Sequence, residues 1–244
     1  GFHMAIARWD AETEKEMDYM SDNGVTSYKM YMVYDGLKVD DGQIYAALKT
    51  ARDHGALIGI HCENWEVLLR RIEELKEQGE TKPWGHPVSR PAEVEAEAVA
   101  RYMRIAQLAG TPAYVVHLST EEGLIEAQRA RARGQEVYLE TCPQYLLLDD
   151  SVYDNPDYSL AARYVCAPPI RKAEDQKALW MALRRGEIQT ISTDHCSFTL
   201  AQKDAGRGDF TKIPGGLPGV ETRGELIYTA GVTTRKISLA TMCR

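Results

Sequence analysis

The chain has 244 residues, 44% of them hydrophobic, with a net charge of −7 at pH 7 and a pI near 5.5. That length suffices for one sizeable core, so one large domain is expected. The acidic balance, with no Lys/Arg-rich run, argues against a nucleic-acid partner. No apolar run approaches the ~18 residues of a bilayer span, and Gly1-Phe2-His3-Met4 has neither the basic nor the apolar region of a signal peptide.

Residues 10–22 read as a charged, solvent-facing helix stopped by Asn23-Gly24. An apolar and aromatic strand, Val25-Thr26-Ser27-Tyr28-Lys29-Met30-Tyr31-Met32, carries a lysine in its middle, and Tyr34-Asp35-Gly36 follows as a loop. Asp40-Asp41 caps a helix to about Ala51, with Ile44, Ala47, Leu48 and Ala51 at helical spacing. The strand Ala56-Leu57-Ile58-Gly59-Ile60 ends in His61, and a helix runs from Glu63 to Glu77. Residues 79–91, broken by three prolines and two glycines, read as a long loop of functional or interfacial kind. A helix over 93–108 leads to the strand Ala113-Tyr114-Val115-Val116, which ends in His117. Ser119-Thr120-Glu121-Glu122 then opens a helix to about Arg133. Residues 136–141 are strand-like and 143–163 irregular or short-helical. Val165-Cys166-Ala167-Pro168-Pro169 is a strand end breaking into a turn, 174–185 a helix. The last strand, Thr190-Ile191-Ser192-Thr193, ends in Asp194-His195-Cys196, and the loop 197–218 is polar and punctuated by glycine and proline.

Strands and helices alternating at this interval imply parallel βαβ units, and their order suits a (β/α) barrel better than a doubly wound sheet. Gly215-Gly216 opens no phosphate loop, and no repeat or low-complexity segment appears. The five cysteines (62, 142, 166, 196, 243) form an odd set without a CxxC. Buried free thiols fit Cys62 and Cys196 better than disulfides, and a reducing cytoplasm is the expected compartment.

Strand ends of a parallel barrel are where chemistry is placed. Imidazole and carboxylate at three such ends (His61, His117, Asp194) are the donors of a catalytic divalent ion, with Asp194 also able to accept a proton. The plainer reading of each histidine is a hydrogen-bonded core or loop residue, and His3, His54 and His86 are left as structural or surface groups. Lys29 has two readings. It snorkels or pairs with an acid, or it is a desolvated amine of depressed pKa that acts as nucleophile or takes up carbon dioxide as a carbamate. Tyr34 either packs or donates its hydroxyl to a developing oxyanion.

Six segments together resemble the dihydropyrimidinase/hydantoinase family of cyclic amidohydrolases: Ser27–Tyr34 (SYKMYMVY), Ile60–Asn64 (IHCEN), Val116–Ser119 (VHLS), Cys166–Arg171 (CAPPIR), Ser192–Cys196 (STDHC) and Lys212–Glu221 (KIPGGLPGVE). The resemblance implies a metal-dependent TIM-like (β/α)₈ barrel, here incomplete at both ends, covering 1–244 as the partial catalytic domain without the family's β-sandwich. It implies hydrolytic opening of a 5,6-dihydropyrimidine or a 5-substituted hydantoin by a hydroxide held between two zinc ions. Lys29, N6-carboxylated, would bridge the zincs, with His61, His117 and Asp194 as further ligands. Asp194 would shuttle the proton, Tyr34 would stabilise the oxyanion, and main-chain groups at Ala167 and Gly215 would grip the ring. A cytoplasmic homotetramer is also implied.

The sequence departs from the family pattern in lacking the His-x-His of the first barrel strand. It has Ala167 where many relatives have Ser, and Gly215 where they have Asn. Two alternatives stand beside the hydrolase: a non-catalytic assembly protein on the same fold, and another amidohydrolase such as a dihydroorotase or allantoinase. Retention of Lys29, His61, His117 and Asp194 together favours the hydrolase.

Overall fold

A computed structural model describes residues 1–243. Its contacts divide the chain into two compact units, one of residues 1–65, 93–116 and 122–139, the other of 66–92, 117–121 and 140 onward.

The first unit is a run of parallel strands paired in chain order. β1 (Met4–Ala5), which the sequence pattern does not reveal, pairs with β2 (Ser27–Tyr31). β2 pairs with β3 (Leu57–His61) over five positions, from Ser27↔Leu57 to Tyr31↔His61. β4 (Ala113–Val115) follows β3, and β5 (Val137–Thr141) follows β4. Alternation of side chains across β2 puts Tyr28 and Met30 on a fully buried face and Ser27, Lys29 and Tyr31 on a half-buried one. The helices Ala11–Asp22 and Asp41–Asp53 start where their caps dictate: Asp10 accepts from the N–H groups of Glu12 and Thr13, and Asp40 forms a capping box with Gln43. The helix Ala92–Ala109 contributes Tyr102, which is fully buried. Its hydroxyl donates to Ile58 O at 3.0 Å and accepts from Tyr114 N at 3.0 Å, serving β3 and β4 at once.

In the second unit the end of β5 pairs with β6 (Thr190–Ile191), Glu140↔Thr190 and Thr141↔Ile191. β6 is only two residues long, so the expected strand to Thr193 breaks off early and Asp194 lies beyond it in an exposed loop. Residues 165–167 are no strand, although Val165 O accepts from Gly216 N at 3.0 Å. Prolines at 168 and 169 remove the donors a ladder needs there. The expected loops contain short helices, Gly85–Ser89 and Leu200–Asp204, the latter started by a Thr199/Gln202 capping box. Cys62, Cys142 and Cys166 are buried free thiols; Cys196 is free but exposed, against the expectation of burial. Among the described residues, no helix is long and apolar enough to cross a membrane.

Tyr102→Phe is expected to remove the bonds to the Tyr114 N–H and the Ile58 carbonyl and to lower unfolding free energy by about 1–3 kcal/mol. Urea unfolding followed by circular dichroism measures this.

Candidate active site

Parallel register determines what shares a face in the first unit. Lys29 lies opposite Gly59 and Tyr31 opposite His61, so all four point the same way. The Lys29 ammonium lies 5.2 Å from the Tyr31 ring centroid. Tyr34, just past β2, has a left-handed backbone (φ 80) and turns its ring edge-on to His61 at 5.2 Å between centroids. Tyr31 and Trp65 stand 6.5 Å and 6.4 Å from Tyr34, so Tyr31 and Tyr34 flank His61 and Trp65 packs beside Tyr34. The Tyr34 turn is closed by Lys38 N donating to Tyr34 O at 2.9 Å.

His61 is buried, and its Nε2 stands 2.7 Å from Glu63 Oε2, whose side chain is wholly inaccessible. An ionised carboxylate only accepts, so facing one Nε2 carries a proton, and in the neutral ring the lone pair is then on Nδ1. A carboxylate orienting an imidazole in this way is the arrangement that supports metal-ligating histidines. Sequence reasoning missed Glu63; its signal was the His-x-Glu spacing, which puts both side chains on one side of an extended segment.

In the second unit His117 also has a left-handed backbone (φ 39), and its N–H donates to Glu140 Oε1 at 3.2 Å. Leu118 N donates to Glu140 O at 2.7 Å, so one glutamate fixes two successive peptides. Asp194 is left-handed too (φ 47) and exposed. The peptides after it are tied down, His195 N to Thr193 Oγ1 at 3.3 Å and Cys196 N to Leu217 O at 3.0 Å. His195 Nδ1 accepts from Gly219 N (3.1 Å) and Val220 N (3.2 Å), which makes it a structural clasp.

Ala167 and Gly215, chosen for their main-chain groups, lie side by side. A Cβ built on Gly215 would stand 3.8 Å from Ala167 N and 3.9 Å from Ala167 Cβ, ordinary contact distances. His86 is buried and bonded to Cys166 O at 2.7 Å, His54 pairs with Asp18 at 2.8 Å and His3 with Ser27 at 2.6 Å, all structural roles. Among the described residues no group of three or more His, Cys, Asp and Glu side chains stands ready to hold a metal ion. The expected donor set is mixed, with Lys29 and His61 in the first unit and His117 and Asp194 in the second.

No family model matches the chain. It is 47% identical to the D-hydantoinase of Streptomyces coelicolor over 234 residues, which are 95% of this chain and 50% of that protein. It is 40% identical to the D-hydantoinase of Geobacillus stearothermophilus over 242 residues, 98% of this chain and 51% of that one. Among solved structures, a D-hydantoinase from a Bacillus species superposes with a TM-score of 0.95 at 41% identity, covering 99% of this chain and 53% of that one. The dihydropyrimidinase of Brevibacillus agri superposes with a TM-score of 0.95 at 39% identity, covering 99% and 53%. The chain thus spans about half the length of the curated relatives it matches, and over that span it is similar to D-hydantoinases and dihydropyrimidinases in both sequence and fold.

Proposed function

We propose that the protein carrying this chain hydrolyses a cyclic amide, a 5,6-dihydropyrimidine or a 5-substituted hydantoin, opening its ring. The observation that carries the reading is backbone strain. Of the four non-glycine residues with left-handed φ among the described residues, three are Tyr34, His117 and Asp194, the residues singled out for chemistry; the fourth is Arg235. Such conformations cost about 1–3 kcal/mol each and persist where surrounding structure over-determines them, most often at functional sites.

Lys29 as a carbamate, His61, His117 and Asp194 are the residues that would hold metal. The Glu63-oriented imidazole of His61 and the half-buried Lys29 suit that part, one by tautomer and the other by exposure sufficient for carbon dioxide to reach it. Zinc supplies, when bound, Lewis-acid polarisation of the ring carbonyl and acidification of the attacking water to a pKa of ~7. Asp194 accepts the proton of the attacking water and returns it to the ring nitrogen as the C–N bond breaks. The Tyr34 hydroxyl donates to the carbonyl oxygen as it becomes an oxyanion. Main-chain groups at Ala167 and Gly215 take the ring amide. A cytoplasmic homotetramer completes the proposal, on the family resemblance.

Three tests follow from these assignments. The full-length protein is expected to hold close to two zinc ions per subunit and to hydrolyse dihydrouracil or phenylhydantoin, with metal and activity both lost in Lys29→Ala. Elemental analysis beside a ring-opening assay reads this, and a metal-free, inactive wild type rejects the proposal. Glu63→Gln, which no longer enforces a proton on His61 Nε2, is expected to weaken zinc binding by about 10–100-fold, measured by competition with a chelator. Gly215→Asn, whose Cβ would meet only ordinary contacts, is expected to fold while changing KM for the two rings unequally; identical KM values in variant and wild type would remove Gly215 from the substrate site.

A further inference from the structure

Lys203 is 4% exposed, on the short helix Leu200–Asp204, and among the described residues no carboxylate stands out as a partner of its ammonium. Its Nζ donates to three main-chain carbonyls, Val165 O at 2.6 Å, Pro214 O at 2.7 Å and Gly216 O at 2.9 Å. An ammonium has three N–H bonds and here each has a carbonyl. The Phe198 ring lies 5.5 Å away, and the thiols of Cys166 and Cys196 are its titratable neighbours. Burial draws its pKa down, against the opposing pull of the Cys166 and Cys196 thiols, to about 8, and the three carbonyl acceptors suit its charged form.

The three carbonyls belong to two separate pieces of chain. Val165 stands two residues before Ala167, and Pro214 and Gly216 flank Gly215. The only main-chain bond linking these pieces directly is Gly216 N to Val165 O at 3.0 Å, among the described residues. Neither piece is a strand, so no ladder sets the spacing between them. A buried cation without a counter-charge is costly to keep and packs no better than a methionine of similar length. What offsets that cost here is the set of carbonyls it holds.

We propose that Lys203 is a positioning residue, a cationic clasp that sets the distance between the main-chain groups of Ala167 and Gly215 and thereby shapes the grip on the substrate ring. The proposal rests on the functional reading above, since it takes Ala167 and Gly215 as the ring-binding pair. Lys203 touches neither the ring nor the reacting atoms. Removing the clasp therefore loosens binding and leaves the donors and the proton path intact.

The test is Lys203→Met in the full-length protein, with two readouts. Hydrogen exchange by mass spectrometry is expected to show at least tenfold faster exchange in peptides covering 163–168 and 213–218, with β2 and β3 peptides unchanged. Steady-state kinetics on dihydrouracil are expected to give a KM raised tenfold or more, a kcat within threefold of wild type and unchanged zinc content. Unaltered exchange at both segments overturns the clasp, and a fall in kcat or zinc with KM unchanged overturns the positioning role. Where Lys203→Met does not accumulate as folded protein, Lys203→Arg, which keeps charge and donors, is expected to restore folding with an intermediate KM; an arginine variant with wild-type exchange and KM would reduce the requirement to charge alone and overturn the three-carbonyl geometry. If wild type opens neither ring, the functional reading fails, and the role in ring binding fails with it, while exchange still judges the clasp.

Discussion

The first unit depends on the register between β2 and β3. Five parallel pairs hold Lys29 opposite Gly59 and Tyr31 opposite His61. A slip by one residue would exchange the faces of β2 and carry the Lys29 amine to where Tyr28 and Met30 are wholly buried. Desolvating an unpaired ammonium costs several kcal/mol, so the lysine itself opposes the slip. Gly59 belongs to the same constraint. A Cβ there would come within 2.7 Å of Val116 Cγ1 and 3.0 Å of the Tyr114 ring, so the strand facing Lys29 has no side chain at that level.

Strain is the second organising feature. Tyr34, His117 and Asp194 sit in a region of backbone space that bulky residues avoid. Each is held by neighbours that bond the adjacent peptides: Leu37 and Lys38 N–H groups on Tyr34 O, Glu140 on His117 and Leu118, Thr193 and Leu217 on the residues after Asp194. A left-handed residue at a strand end turns its side chain out of the pleat. The chain stops being sheet and begins to present a group at one point. The price is local, and it falls on residues whose neighbouring peptides are already bonded.

How much of this was legible follows from the range of each signal. The strand terminus at His61, the lysine in β2 and the cap at Asp40 are written in consecutive residues, and the structure agrees, while β4 stops at Val115, two residues before His117. β1 is two residues long and β6 stops at Ile191, lengths at which periodicity carries no information. The strand expected at 165 fails because prolines 168 and 169 follow and a loop partner replaces the ladder. The left-handed φ values were illegible in principle, since residue preference would have put glycine or asparagine there. Glu63 reads as a surface acid before a helix until burial shows it facing His61. Lys203 reads as a charge in a polar loop because the carbonyls it holds lie 38, 11 and 13 residues away.

The second unit answers a different problem from the first. Its turns at 163–171 and 213–219 carry main-chain groups with no ladder to satisfy them, and buried carbonyls left alone are costly. Buried polar side chains take the place of the sheet: Lys203 on three carbonyls, His86 on Cys166 O, Tyr145 on Pro168 O at 2.8 Å, and Arg171 on Arg90 O and on Ser119 Oγ at 2.9 Å. The carbonyls of Val165, Cys166 and Pro168 on one side and of Pro214 and Gly216 on the other, which flank Ala167 and Gly215, are thus occupied by side chains. In the proposed function, a ring read through main-chain donors and acceptors would be selected by its amide pattern, because an analogue lacking one N–H or C=O leaves a protein group unpaired. Under the proposed function, selectivity for the ring amide would follow from how well the surrounding turns are held, and only secondarily from which side chains line them.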